Sequence, residues 1–156
     1  MIALIQRASE AAVVVDGQVI GSIAAGILAL VGVQRGDTAR EAERLAARVL
    51  AYRVFPDEAG RMNRSLEQTR GAVLAVPQFT LAADTRTGTR AGFSTAADSS
   101  DGAHLFELFV KALRSSALHV RTGRFGAHMQ VKLINDGPVT FWLEARNPEV
   151  APAVPG

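Results

Sequence analysis

Leu133–Glu144 reads LINDGPVTFWLE, and how its middle is read decides what this chain does. Asn135-Asp136-Gly137, set between two apolar runs, has the chemistry of an Asp-Gly hairpin turn. Pro138 follows at once and has no backbone N–H to give to a neighbouring strand. Proline is tolerated there only at a strand's first residue or on a sheet edge. Two readings are open. One is an ordinary turn joining a strand over Met129–Ile134 to another over Val139–Leu143. The other makes Gly137-Pro138 a rigid, partly exposed piece of backbone presented to another molecule.

The surrounding pattern is that of one α+β domain. Ile2–Gln6 and Ala11–Val15 read as strands, and Asp16-Gly17 as a two-residue hairpin leading into Gln18–Ile23. Gly26–Val33 is a continuous apolar run of buried-strand length. The period then changes. Thr38-Ala39-Arg40-Glu41 is a capping box, and Ala42, Leu45, Ala46, Val49 and Leu50 follow at helical spacing. Phe55–Arg70 reads as loop or short hairpin, Gly71–Leu81 as a strand, and Asp84–Asp101 as a long polar loop. A second amphipathic helix starts near Ser100 or Asp101, with Leu105, Leu108, Phe109, Ala112 and Leu113 on one face. The domain is expected over 1–146, with a flexible tail over 147–156 that carries three prolines.

Composition narrows the function. Hydrophobic residues make up 48% of 156 residues and charged residues 21%, an ordinary globular balance. No run of 18 apolar residues is present, so no membrane partner is expected. The strand-like start and the absence of cysteine point to a cytoplasmic protein without disulfides. A net charge of +2 does not indicate an extended nucleic-acid footprint, although contact with one end of a nucleic acid is compatible with it.

The usual side-chain catalysts are missing. His104, His119 and His128 stand apart from any ligand-like partner, so no metal site is expected. Neither a nucleophile elbow nor a glycine-rich phosphate loop occurs. An enzyme built on this chain has to work with backbone, amide, hydroxyl or substrate groups. Pro77-Gln78-Phe79-Thr80, at the end of the Gly71 strand, is the remaining candidate. Alone it reads more readily as a strand terminus, with Phe79 buried and Gln78 and Thr80 solvated.

PQFTLAADT and NDGPVTF occur together in that order, along with MIALIQR, RVLAYRVF, GRMN and TGRFGAHMQV. At these residues the sequence resembles the D-aminoacyl-tRNA deacylases nearly end to end. The resemblance implies a homodimer with a mostly antiparallel, barrel-like sheet and two main amphipathic helices. It also implies an aminoacyl-tRNA substrate bound by its acceptor end, and no cofactor. In that family the Gly-Pro peptide is cis and enters the partner's active site, which here gives the role to Gly137 and Pro138. Arg7 would steady that element, Gln78, Phe79 and Thr80 would line the reacting carbonyl, and Phe125 and Met129 would lie near the terminal adenosine. The resemblance further implies that rigid carbonyls exclude L substrates and that the substrate's 2′-hydroxyl assists hydrolysis. Two positions depart from the family pattern: Pro77 replaces a serine, and His128 stands where an acidic or aromatic residue is usual. Three rivals remain: a non-catalytic module that binds a tRNA end, an esterase using Thr80, and a purely structural dimer domain.

Overall fold

The computed structural model describes residues 1–150. Strands β1 (Ile2–Val15), β2 (Gln18–Ile23) and β3 (Gly26–Gly32) lead to helix α1 (Ala39–Ala51). A short β4–β5 hairpin (Phe55–Pro56, Met62–Arg64) and α2 (Leu66–Thr69) precede β6 (Ala72–Pro77) and a 3-10 turn over Phe79–Ala82. Helix α3 (Ser99–Arg114), β7 (Val120–Thr122) and β8 (Gln130–Glu144) complete the order. None of the helices is long and apolar enough to cross a membrane.

The hairpin reading of Asn135-Asp136-Gly137 is corrected. β8 is one strand of 15 residues, and β1, expected as two segments, is one strand of 14. The reason lies in the pairing. Thr140–Glu144 needs Ile2–Gln6 as its antiparallel partner, and Gln130–Asn135 needs Ala8–Val14. Folding the two halves of β8 onto each other would leave the whole edge of β1 without hydrogen-bond partners. From Gln6 to Ala8 β1 advances two residues while β8 runs from Thr140 back to Asn135, so the surplus of β8 is extruded between two intact ladders.

The sheet order is β2-β1-β3-β6-β7, with β8 on the other edge of β1. β1 pairs antiparallel with β2, β3 and β8, whereas β3–β6 and β6–β7 are parallel. The sheet is therefore mixed, and nearly closed: a Cβ on Gly21 of β2 would stand 2.9 Å from the Thr122 carbonyl oxygen of β7. Alternation with both faces buried marks the central strands β3 and β6. Ala3, Ile5, Ile27, Ala29 and Val31 pack under α1 and α3, while Leu28, Leu74, Val76 and Val13 fill the barrel interior. Past the interior, the same face continues as Leu4, Leu30 and Trp142, the last 51% exposed.

Three helices form where two main ones are expected. The Thr38–Glu41 capping box is present, with the buried Glu41 carboxylate accepting from Thr38 N (2.9 Å) and Oγ1 (2.7 Å). Burial pushes that carboxyl up, but the Thr38 hydrogen bonds outweigh it and hold Glu41 below its ordinary value. A second capping box, Ser65 with Gln68, starts α2 inside the segment expected as loop or hairpin. Asp98 caps α3, slightly ahead of the expected start. Asn147, in the segment expected as a tail, donates to the Gly36 carbonyl (2.9 Å), and 151–156 lie outside the described residues.

Close approach of β3 to β6 supplies a stability test. A Cβ on Gly26 would lie 1.9 Å from the Ala72 carbonyl oxygen, so the two backbones would have to separate. Forced overpacking costs about 1–3 kcal/mol, and Gly26→Ala should lower Tm by roughly 3–10 °C. Calorimetric unfolding measures this, and an unchanged Tm would show that the contact yields freely.

Candidate active site

The Gln78–Thr80 segment leaves the sheet through two fixed points. Gln78 N–H donates to the Val31 carbonyl (2.7 Å), ending the parallel β3–β6 register. The chain then winds over Gly32, where a Cβ would stand 3.0 Å from Leu81 Cβ and 3.1 Å from Gln78 O. Gly32 shares its face with Leu30, so the 3-10 turn sits on the side of the sheet away from the helices. A 3-10 turn leaves its first N–H groups without acceptors of its own, and here they belong to Phe79 and Thr80. Phe79, read from sequence as a buried strand end, is instead 59% exposed and leans on Phe93 at 5.2 Å between ring centroids.

Thr80 Oγ1 accepts a hydrogen bond from the Gln78 side-chain amide. An amide cannot take a proton, so this partner does not turn the hydroxyl into an activated nucleophile. Nearby carboxylates are also committed. Arg86 hydrogen-bonds Asp84 and holds its pKa at about 2, which keeps it an anion at neutral pH. Burial raises Asp37, yet its oxygens are taken by the Met1 ammonium (2.7 Å) and Gln34 N–H (2.7 Å). Among the described residues no group of three or more acidic, histidine or cysteine side chains could hold a metal ion.

The extruded residues of β8 form the second half of the candidate site. The Gly137–Pro138 peptide is cis, and Gly137 has φ +152°. A side chain at Gly137 would meet Val139 Cγ2 at 2.6 Å and Arg7 Nη2 at 3.3 Å, so glycine is required on both counts. Two side chains buttress the element. Arg7, whose side chain is 13% exposed, donates from Nε to the Asp136 carbonyl (2.7 Å) and from Nη1 to the Val54 carbonyl (2.7 Å). Asn135 Oδ1 accepts from Val139 N–H (2.7 Å), and its Nδ2 donates to Thr140 Oγ1 (2.8 Å). Asn135 thus closes the loop over Asp136–Pro138 with two hydrogen bonds, to Val139 and Thr140. Sequence reasoning missed the role of Asn135, although its Asx-type reach over neighbouring amides was a usable signal.

Within one chain these halves stay apart. The 3-10 turn overlies Gly32, which pairs with Ile2, whereas Gly137-Pro138 lies beyond Gln6 and two strands across. Strand geometry puts them on the order of 15–20 Å from each other. The intervening face carries Leu4, Leu30 and Trp142, and a cleft of about 770 Å³ opens between Leu81, Asp84 and Trp142.

Met129 comes close to the Gln78 approach. A Cβ on Gly123 would sit 2.8 Å from Met129 Sδ and 3.4 Å from Pro77 Cδ, so both side chains border the same glycine. Phe125 stands at the first turn of α3, 3.2 Å from a Cβ on Gly102, and is half-exposed. His128 is exposed.

The chain matches one family along nearly its whole length. The model described as D-Tyr-tRNA(Tyr) deacylase matches residues 4–144. The chain is similar to the D-aminoacyl-tRNA deacylase of Thioalkalivibrio sulfidiphilus (strain HL-EbGR7), 62% identical over 148 residues, which cover 95% of this chain and 99% of that protein. It is similar also to the D-aminoacyl-tRNA deacylase of Alkalilimnicola ehrlichii (strain ATCC BAA-1101 / DSM 17681 / MLHE-1), 60% identical over 146 residues, with 94% and 97% covered. A solved chain described as c-Myc DNA Unwinding Element Binding Protein superposes with TM-score 0.89 at 36% identity, covering 94% of this chain and all of that one. A second, from a structural analysis of a probable eukaryotic D-amino acid tRNA deacylase, has TM-score 0.79 at 16% identity over 92% and 98%, and shares the fold. With identity sustained over nearly the whole length of both chains and a family match that spans both signatures, this chain belongs to the D-Tyr-tRNA(Tyr) deacylase family.

Proposed function

We propose that the chain is a hydrolase that cleaves the ester between a D-amino acid and the terminal ribose of tRNA, in a site shared by two copies. The observation that carries this reading is that one chain holds its two half-sites on the order of 15–20 Å apart, with the uncovered sheet face of Leu4 and Trp142 between them. A two-fold axis through that face sets each Gly137-Pro138 against the Gln78–Thr80 turn of the other copy, which is the self-complementary contact a C2 dimer makes. Exposed Trp142 and Phe79 are apolar surface that such pairing removes from water.

In this assembly the chemistry is largely backbone chemistry. The free N–H groups of Phe79 and Thr80 point to stabilisation of the oxyanion as the ester carbonyl becomes tetrahedral. No protein base is hydrogen-bonded to Thr80 among the described residues, which favours proton transfer through the substrate's own 2′-hydroxyl. The carbonyls of Gly137 and Pro138 fill the space an L side chain would need, so chirality is read by exclusion rather than by grip. Glycine, with no side chain, passes the same filter. Phe125 and Met129 receive the terminal adenosine on an aromatic ring and a thioether.

The name of the 36%-identical neighbour suggests a second reading, in which the same fold binds a DNA unwinding element. A net charge of +2 gives that reading little electrostatic support.

Purified protein should release D-amino acids from tRNA and leave matched L-aminoacyl-tRNA intact, with sedimentation giving a dimer. Tight tRNA binding without release of either amino acid would instead identify a non-catalytic module. Thr80→Ala should keep activity within about tenfold of wild type, and a 2′-deoxy terminal ribose should abolish it. A loss of roughly 10⁴-fold in Thr80→Ala would mark the hydroxyl as nucleophile. Arg7→Ala, by loosening the Asp136 carbonyl, should raise L turnover more than it lowers D turnover. Loss of D activity with L still spared would exclude rejection by this element.

A further inference from the structure

The 3-10 turn that carries Thr80 is too small to hold itself. It spans four residues, has no side-chain cap at Gln78, and its two end bonds, Leu81 N–H to Gln78 O and Ala83 N–H to Thr80 O, are both 3.2 Å. Isolated turns of this kind are not stable in water. Beyond the Gln78 N–H bond to Val31, both of its ends are held by one further segment. Phe93 packs its ring on Phe79 at the start of the turn. Thr95 Oγ1 donates to the Ala82 carbonyl at its end (2.6 Å).

That segment is itself anchored on both sides. Before it, Asp84 and Gly92 exchange two backbone hydrogen bonds (2.8 and 2.9 Å), closing the preceding loop into a tight excursion. After it, Arg35 N–H donates to Thr95 O (2.9 Å) and Ala97 N–H to Val33 O (3.1 Å), tying the segment to the end of β3. Phe93 remains 45% exposed, so its ring contributes little as core. What it touches is Phe79, the residue between Gln78 and Thr80.

We propose that Phe93–Thr95 is a strap that positions the Gln78–Thr80 turn, with Phe93 and Thr95 as positioning residues for the hydrolysis. This rests on the catalytic reading of that turn given above. The strap orders the amides of Phe79 and Thr80 before substrate arrives. A displacement of those donors by a fraction of an ångström weakens the transition state more than it weakens substrate binding.

The test compares Phe93→Ala and Thr95→Val with the conservative Phe93→Tyr and Thr95→Ser. Steady-state hydrolysis of D-aminoacyl-tRNA is measured alongside amide exchange at Leu81 and Ala83. The first two variants should lose about 10- to 100-fold in kcat with KM within about twofold, while Tyr and Ser restore it. Exchange at both amides should accelerate in the first two alone, at unchanged Tm. Thr95→Val probes the strap with every ring in place, should Phe93→Ala fail to fold. Unchanged kcat in both variants, or losses confined to KM, would overturn the proposal whatever the exchange rates do. If the wild type released no D-amino acid, the catalytic reading would fail. Exchange would then decide the strap by itself, faster in Phe93→Ala for it and unchanged against it.

Discussion

The ladder between β1 and β8 is the constraint on which the remaining geometry depends. It is the longest pairing among the described residues, joining Ile2–Val14 to Gln130–Glu144 in two main registers separated by shifts on either side of Ala8. Each register is pinned by its own alternation of buried and exposed side chains, since a slip of one residue would turn apolar side chains outward. On β1 the switch occurs near Ala8, where the interior-facing set passes from even to odd positions, Ala8 being followed by Ala11, Val13 and Val15. The surplus backbone of β8 has nowhere to go except out of the sheet. The Gly137-Pro138 element is thus a by-product of two correct registers, buttressed in place by Arg7 and Asn135.

The candidate site works with atoms that every residue possesses. Arg7 addresses carbonyls, Gln78 N–H holds to a carbonyl, and the open donors of the 3-10 turn are amides. Ionisable side chains near the cleft are neutralised in pairs, Asp84 with Arg86 and Asp37 with the Met1 ammonium. Backbone dipoles do not titrate and are held by the fold itself, so their aim is as good as the secondary structure that carries them.

Much of this was legible in the sequence because it is local. The Asp16-Gly17 hairpin appears as read, with φ +48° and +76° at its two central residues. The Thr38–Glu41 box opens α1, and the apolar run at Gly26 is a buried strand. The misreadings are non-local. Asp136-Gly137 looks like a hairpin because turn chemistry is written in two residues, whereas the competing partner, β1, lies more than a hundred residues away in sequence. Phe79 looked like a strand end because nothing nearby announced that Gly32, on another strand, leaves room for a 3-10 turn above it. Ser65–Gln68 had a local signature that the polar context obscured. At the site, the resemblance supplied the residues, while the buttressing by Asn135 and Phe93 emerged only from the folded chain.

The contact between Arg7 and Asp136 divides the motif in a way that bears on how such a sequence can drift. Arg7 Nε lies 2.7 Å from the Asp136 carbonyl but 3.8 Å from its carboxylate, which is 64% exposed. An exposed ion pair of that length contributes little, on the order of 0–1 kcal/mol. The guanidinium therefore addresses an atom common to all amino acids, and the side chain at 136 is nearly free to change. One position later the reverse holds, because any Cβ at Gly137 collides with Val139. Neighbouring codons thus carry opposite tolerances, one wide and one almost nil, imposed by the same hydrogen-bonded loop.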